Sequence, residues 1–250
     1  STELLSGSAG FYAFISSISV YPDHTPPGYD ESAPTLELTD PASEDIAEDY
    51  GALKAVCERV VEEAFPHRCL NVRAGLIVGP HDPTGRFTYW VTRLARGGIV
   101  LAPGPPAAQV QFIDARDLAA WSVEMAAASH AGVFNATGPA ESLTFEAFLR
   151  QCAGATESDA SVTWVDPDFL VERGVEPWSE VPLWLPGEAA QGLMHADIGK
   201  AMSAGLRFRP LEQTVHDTWE WVRELPEPPG DAGMGSEREA EVLGAWAMAS

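Results

Sequence analysis

Basic residues are scarce in this chain: 15 Lys and Arg stand against 37 Asp and Glu among 250 residues, a formal net charge of −22. A field of that sign repels phosphate backbones and anionic bilayers over a Debye length, so nucleic acid and membrane surfaces are excluded as partners. Cysteine is scarcer still. Cys57, Cys69 and Cys152 are odd in number, widely separated and lack a C-x-x-C pair, which argues against a disulfide framework or a zinc site and fits a reducing cytoplasm. The six histidines (His24, His67, His81, His130, His195 and His216) show neither H-x-x-x-H nor H-E-x-x-H spacing, so no metal is expected. No apolar run approaches the ~20 residues needed to span a bilayer, and the first residues carry no basic segment followed by an apolar one.

What is present is the composition of a globular protein: 45% hydrophobic and 9% aromatic residues, enough for one or two domains with a proper core. Ser1 to Leu5 reads as a helix end, Ser6 to Gly10 as a turn, and Phe11 to Ser16 as an apolar strand of the kind buried on both faces of a parallel sheet. Pro22 to Ala42 is a long proline-rich, acidic loop, and Glu44 to Tyr50 leads into a helix that continues through Val56, Val60, Val61 and Ala64 and stops at Pro66. Cys69 to Leu76 is the next buried strand, Phe87 to Arg96 a helix ended by Gly97-Gly98, and Pro103 to Pro106 a turn. Gln111 to Asp114 reads as a short strand, Ala115 to Ser129 as a helix with Leu118, Trp121 and Met125 on one side, and Val133 to Asn135 as a last strand.

Smaller units follow from Glu141: a helix over Phe145 to Cys152, a strand over Val162 to Val165, a short helix over Pro167 to Arg173, and a helix over Leu211 to Leu225. The stretch Glu176 to Pro186 sets Trp178 and Trp184 among prolines, as a packed irregular loop or as a pocket wall. Pro226 to Gly235 is a linker, and Ser236 caps a tail helix whose Val242, Leu243 and Trp246 form a small apolar stripe that docks on the body or joins a partner chain.

Chemistry concentrates at Tyr50 and Lys54. Residues at i and i+4 share a helix face, so the Lys54 ammonium lies near enough to act on the ionisation of the Tyr50 phenol, the requirement for proton transfer by a tyrosine at neutral pH. Alone, Y-x-x-x-K is a weak signal that many solvated helix faces carry by chance. Its neighbours make it specific: F-I-S-S-I-S-V-Y at 14–21, Y-G-A-L-K at 50–54 and R-A-G-L-I-V-G-P at 73–80 stand in order.

This succession resembles the extended short-chain dehydrogenase/reductases, the NAD-dependent epimerase/dehydratase group, from the first residues to about Arg223. The resemblance implies an α/β fold with a partial Rossmann-like, doubly wound parallel sheet and a smaller C-terminal substrate-binding lobe. It implies domains at 1–139 for the C-terminal half of the nucleotide-binding unit (with 77–110 on the substrate side), 140–225 for the lobe and closing helix, and 226–250 for linker and tail helix. The glycine-rich half that seats the pyrophosphate at a helix N-terminus is expected to be lacking, since S-G-S-A-G at 6–10 precedes a strand and G-D-A-G-M-G at 230–235 follows a linker. Weak dinucleotide binding by these residues alone is expected for the same reason, and the sheet edge left at 11–16 and the tail helix are candidate surfaces for self-association.

By the same resemblance Ser17, Tyr50 and Lys54 are the catalytic residues: Tyr50 exchanges a proton with a substrate hydroxyl or carbonyl, Lys54 tunes it and holds the nicotinamide ribose, and Ser17, four residues before Tyr21, bonds the same oxygen. Ser16 then points to the other face of the strand. Tyr50, Lys54, Ala74, Gly75 and Leu76 are the expected contacts of NAD or NADP, which supplies the hydride. In sugar-nucleotide epimerases of the group an asparagine stands near Leu76 and arginines clamp a diphosphate; here Val110 replaces one such arginine and residues 174–206 hold none. An unpaired diphosphate is costly to bury, so a small carbonyl or alcohol is the expected substrate in place of a nucleotide sugar. The alternative is a truncated or non-catalytic member with a binding or regulatory role.

Overall fold

The computed structural model describes residues 1–187 and 189–249. In chain order the elements are α1 (Thr2–Leu5), β1 (Tyr12–Ser17), α2 (Ile46–Ala64), β2 (Cys69–Ala74), β3 (Leu76–Val78), α3 (Arg86–Ala95), β4 (Ile99–Pro103), β5 (Phe112–Asp114), α4 (Ala115–Ala127), β6 (Gly132–Ala136), α5 (Phe145–Ala155), β7 (Ser161–Val165), α6 (Pro167–Glu172), α7 (Gly199–Ser203), α8 (Leu211–Val222) and α9 (Ser236–Ala249). They form two compact units that interleave along the chain: residues 1–77, 111–141 and 188–208 in one, and 78–110, 142–187 and 209–250 in the other.

The first unit is built on a parallel sheet of order β1-β2-β6, in which Ser17 pairs with Ala74 and Ala74 with Ala136. β2 is buried along its whole length, whereas β1, at the end of the strand order, leaves Ala13 and Ile15 exposed, so the sequence expectation of a first strand buried on both faces does not hold. On one side Val61 of α2 and Phe65 just beyond its end pack with Tyr12, Phe14 and Cys69; on the other Leu118, Trp121 and Met125 of α4 pack with Leu70, Val72, Ala74 and Phe134. This is the doubly wound α/β arrangement expected from the sequence. The starts of these two helices are fixed by side chains: Asp45 accepts from the amides of Ala47 and Glu48 at the head of α2, and Asp114 from that of Arg116 at the head of α4.

The strand expected over Cys69 to Leu76 divides at Gly75, where a Cβ would run into the Thr137 side chain. The amide of Gly75 still bonds the Ala136 carbonyl at 3.0 Å, but β3 then leaves the three-stranded sheet and pairs with β5. Only a residue without a side chain fits this crossing point.

In the second unit α3, α5 and α8 pack around Trp90, which meets Phe145 edge-on at 5.1 Å and donates its indole N–H to the Pro182 carbonyl at 2.8 Å. Ile99–Pro103, which sequence pattern left without an element, is a strand paired in parallel with β7. Its Pro103 sits at the strand's last position. Trp184 is buried as core, whereas Trp178 lies under the Arg86 guanidinium at 5.2 Å. The tail helix α9 docks within its own unit: Val242 is buried, and Glu239 takes two bonds from Arg93 Nε (2.9 and 2.7 Å) and one from the Leu101 amide (3.0 Å). Arg93 in turn donates to the carbonyls of Gly97 and Ile99, so the ion pair closes the turn from α3 into β4.

Two expectations follow from burial. Cys57 is exposed, while Cys69 and Cys152 are buried and burial pushes both thiols up. One of the three thiols should therefore react rapidly with an aromatic disulfide reagent in the native protein and all three in denaturant; fast native reaction of two or more would contradict the packing. The second concerns alkaline pH. Burial raises the phenols of Tyr21 and Tyr29, and it raises Tyr89, which also faces Glu239, to about 12. The folded state holds these protons more tightly than the unfolded chain, whose tyrosines ionise near pH ~10, so their contribution is full below about pH 10 and is lost as pH rises toward the folded values. Phenolate absorbance from these three should thus appear together with loss of circular dichroism, and phenolate formed with the fold intact would contradict it.

Candidate active site

The helix α2 opens with a kink: Asp49 departs from helical geometry (φ −109°, ψ 17°), and its carboxylate accepts a short bond from the Ser43 hydroxyl in the preceding loop. Regular helix resumes at Tyr50. From there Tyr50 and Lys54 project on one face, the Lys54 ammonium lying 5.9 Å from the centre of the Tyr50 ring and 4.9 Å from that of Phe14. Lys54 Nζ also donates to the Ile15 carbonyl of β1 at 2.9 Å, which anchors it across the strand and leaves two of its three donors for other acceptors. Tyr50 is 42% exposed.

Ser17 ends β1 and caps a 3-10 turn over Ile18–Val20, accepting from the Ser19 amide and donating to the Ser19 hydroxyl, both at 3.0 Å. This turn sits directly on α2. The Ser19 carbonyl occupies the space a Cβ on Gly51 would need, which is the physical demand for glycine right after Tyr50. The structure therefore brings Tyr50 and Lys54 together directly and packs the turn that Ser17 opens against Gly51; among the described residues no hydrogen bond links Ser17 to either. Ser16 lies on the α2 side of the sheet with Tyr12 and Phe14, its hydroxyl buried and without a partner, and Ser17 falls on the alternate side. Ala74 ends β2 beside Ser17 and Ala136, Gly75 follows at the crossing point, and Leu76 begins β3.

Beneath this surface lies a buried polar network that motif reading did not single out. Arg73 of β2 forks onto Glu58 of α2 with contacts of 3.0, 3.2 and 2.7 Å, and donates from Nη1 to the Tyr21 hydroxyl at 2.7 Å. Tyr21 donates onward to Asn135 Oδ1 at 2.7 Å, and the Asn135 amide N–H donates to Glu31 Oε1 at 2.7 Å. The signal was in the sequence: an arginine inside an apolar strand, in C-L-N-V-R-A, demands a buried carboxylate, and Glu58 stands on the otherwise apolar side of α2 with Ala55 and Val61. Among the described residues no group of three or more His, Cys, Asp or Glu side chains could hold a metal ion, and no helix is long and apolar enough to cross a membrane.

A parallel sheet with helices on both sides is a Rossmann-like, doubly wound α/β scaffold. The family model for the NAD dependent epimerase/dehydratase family matches residues 6–136, just over half of the chain. The chain belongs to that family. Its structure is similar to UDP-N-acetylglucosamine 4-epimerase from Methanobrevibacter ruminantium M1, solved with UDP-N-acetylmuramic acid (19% identity, TM-score 0.63, covering 87% of this chain and 64% of that one). It is also similar to UDP-glucuronic acid 4-epimerase from Bacillus cereus, solved with NAD (16%, 0.60, 89% and 65%), and to dTDP-4-dehydrorhamnose reductase from Yersinia enterocolitica (13%, 0.61, 88% and 70%). The chain thus spans just under two thirds of the two epimerases. Comparison with curated protein sequences gave no match.

Proposed function

We propose that this chain carries the proton-transfer half of an NAD- or NADP-dependent oxidoreductase or epimerase/dehydratase-like site acting on a small carbonyl or alcohol. The observation that carries the reading is the Tyr50–Lys54 pair: an exposed phenol with a strand-anchored ammonium 5.9 Å from its ring. The donor set suits the nicotinamide end of such a cofactor, because Lys54 keeps two free N–H donors for ribose hydroxyls and Tyr50 is open beside them. When bound, the cofactor supplies the hydride chemistry. Tyr50 delivers or takes the proton at the substrate oxygen, Lys54 orients the ribose and places positive charge beside the phenol, and Ser17 turns its hydroxyl from Ser19 to that same oxygen. Ala74, Gly75 and Leu76, at the carboxyl end of β2, line the nicotinamide side by backbone and packing contacts.

The similar structures named for nucleotide-sugar enzymes favour a second reading, a sugar attached to a nucleoside diphosphate. Against it stands the absence of any arginine between 174 and 206 in a chain of net charge −22, which leaves a diphosphate poorly paired. A soluble protein of the cytoplasm fits this chemistry, and since α9 is docked within its own unit, the edge of β1, unpaired among the described residues, is the surface for self-association. Saturation-transfer NMR with NADH, NADPH and nicotinamide mononucleotide tests the cofactor assignment even for weak binding. Transfer to the nicotinamide ring protons is expected in the parent protein and lost in Tyr50→Phe and Lys54→Met; its absence from the parent, or its persistence in both variants, would overturn the reading.

A further inference from the structure

We propose that Arg73 is a positioning residue that sets the Ser17 turn against Tyr50 and Lys54, an inference that rests on the site reading above and extends it to the residue that holds the site's geometry. Arg73 is itself far from the reacting groups in sequence and lies within β2, 6% exposed. Its importance is in what its two arms grip.

One arm is the fork onto Glu58, with side chains 7% and 5% exposed. Glu58 is one helical turn beyond Lys54 and two beyond Tyr50, so its carboxylate fixes the rotation and height of the face that carries both. The other arm is Nη1 to the Tyr21 hydroxyl at 2.7 Å, with the guanidinium carbon also 4.9 Å from the centre of the Tyr21 ring. Tyr21 is the residue that closes the 3-10 turn begun by Ser17, its amide bonding the Ile18 carbonyl at 3.1 Å. A single planar guanidinium therefore joins the helix of Tyr50 and Lys54 to the turn of Ser17. Lysine cannot do this, because a single ammonium lacks the rigid, widely spaced donors that serve a forked carboxylate and a phenol together.

The arrangement is also costly enough to need a reason. A buried ion pair of this kind is weak evidence for stability by itself, since apolar residues of similar volume often serve as well. Here Tyr21, held protonated by burial, both accepts from Arg73 and donates to Asn135, extending the grip to β6. The network thus fixes four segments at the carboxyl end of the sheet to one another, where a displacement of about 1 Å in a catalytic group can lower turnover by about 100-fold.

The test uses three variants of the whole chain: Tyr21→Phe, which cuts one arm and keeps the ring; Arg73→Lys, which keeps the charge and loses the fork; and Arg73→Met combined with Glu58→Leu, which leaves no unpaired charge if either single change unfolds the protein. Thermal melting reports the fold. The Tyr50 ring resonances, assigned by their disappearance in Tyr50→Phe, report the site, and saturation transfer from NADH reports function. The expected result is a shift of the Tyr50 resonances with loss of nicotinamide transfer in every folded variant, Tyr21→Phe included, whatever its melting temperature. Lowered melting with Tyr50 resonances unmoved would reduce Arg73 to a structural residue and overturn the proposal. If the parent protein shows no transfer at all, the cofactor reading fails, while the Tyr50 resonances still decide whether Arg73 positions that face.

Discussion

Replacing Glu239 with alanine is expected to destabilise the second unit by about 3–5 kcal/mol, because it strands a buried guanidinium that the helix α9 alone neutralises. The Arg93–Glu239 contact is 2.7 Å with side chains 8% and 5% exposed, and the same carboxylate holds the Leu101 amide. Losing it leaves Arg93 charged and buried and frees the edge of β4 from the helix that covers it. The unit should melt earlier by roughly 10 °C on the scale of 2–4 °C per kcal/mol for chains of this size. Glu239→Gln, which keeps the amide contact and most of the shape, should lose less. A melting curve for Glu239→Ala that overlays the parent would mean that α9 is not held by this pair.

Replacing Tyr50 with phenylalanine should lower turnover by about 10²- to 10⁴-fold, the range supplied by a positioned acid or base. Tyr50 is 42% exposed and α2 is capped upstream by Asp45, so far-ultraviolet dichroism and melting should stay near those of the parent. The measurement is nicotinamide oxidation or reduction by the full-length protein against a panel of small carbonyls and alcohols, with a nucleotide-sugar arm. Lys54→Met should fall with it and additionally raise KM, since Lys54 is assigned the ribose as well as the phenol. Parent-like turnover in Tyr50→Phe would remove the phenol from the chemistry. Turnover of a nucleotide sugar in preference to the small compounds would give the site to the second substrate class.

The Tyr50–Lys54 face is legible in the sequence. The i, i+4 spacing forces Tyr50 and Lys54 onto one face wherever the helix lies, with Gly51 between them in sequence. The partner of that glycine, the Ser19 carbonyl, was not legible, because backbone approach between a turn and a helix leaves no periodic trace. Nor was the break at Gly75. Leu76 to Val78 continue the apolar run of β2, and only the packing of Thr137 shows that the chain changes sheets there. The strand at Ile99–Pro103 was missed because a five-residue apolar run between glycines and prolines has no period of its own, and it becomes a strand by pairing with β7, some sixty residues away.

The sequence by itself determined the elements whose signals are local: the amphipathic helices, the acidic composition and the Tyr50–Lys54 face, each set by neighbours within a few residues. Tertiary structure alone decided which residues share a burial site across long separations. Arg73 finds Glu58 on one side and Tyr21 on the other, and Arg93 finds Glu239 across most of the second unit's sequence. The physical reason is desolvation. A charge in an apolar strand or helix announces that a partner must exist, since burying it unpaired is prohibitive, but only the packed chain can bring that partner within hydrogen-bonding distance.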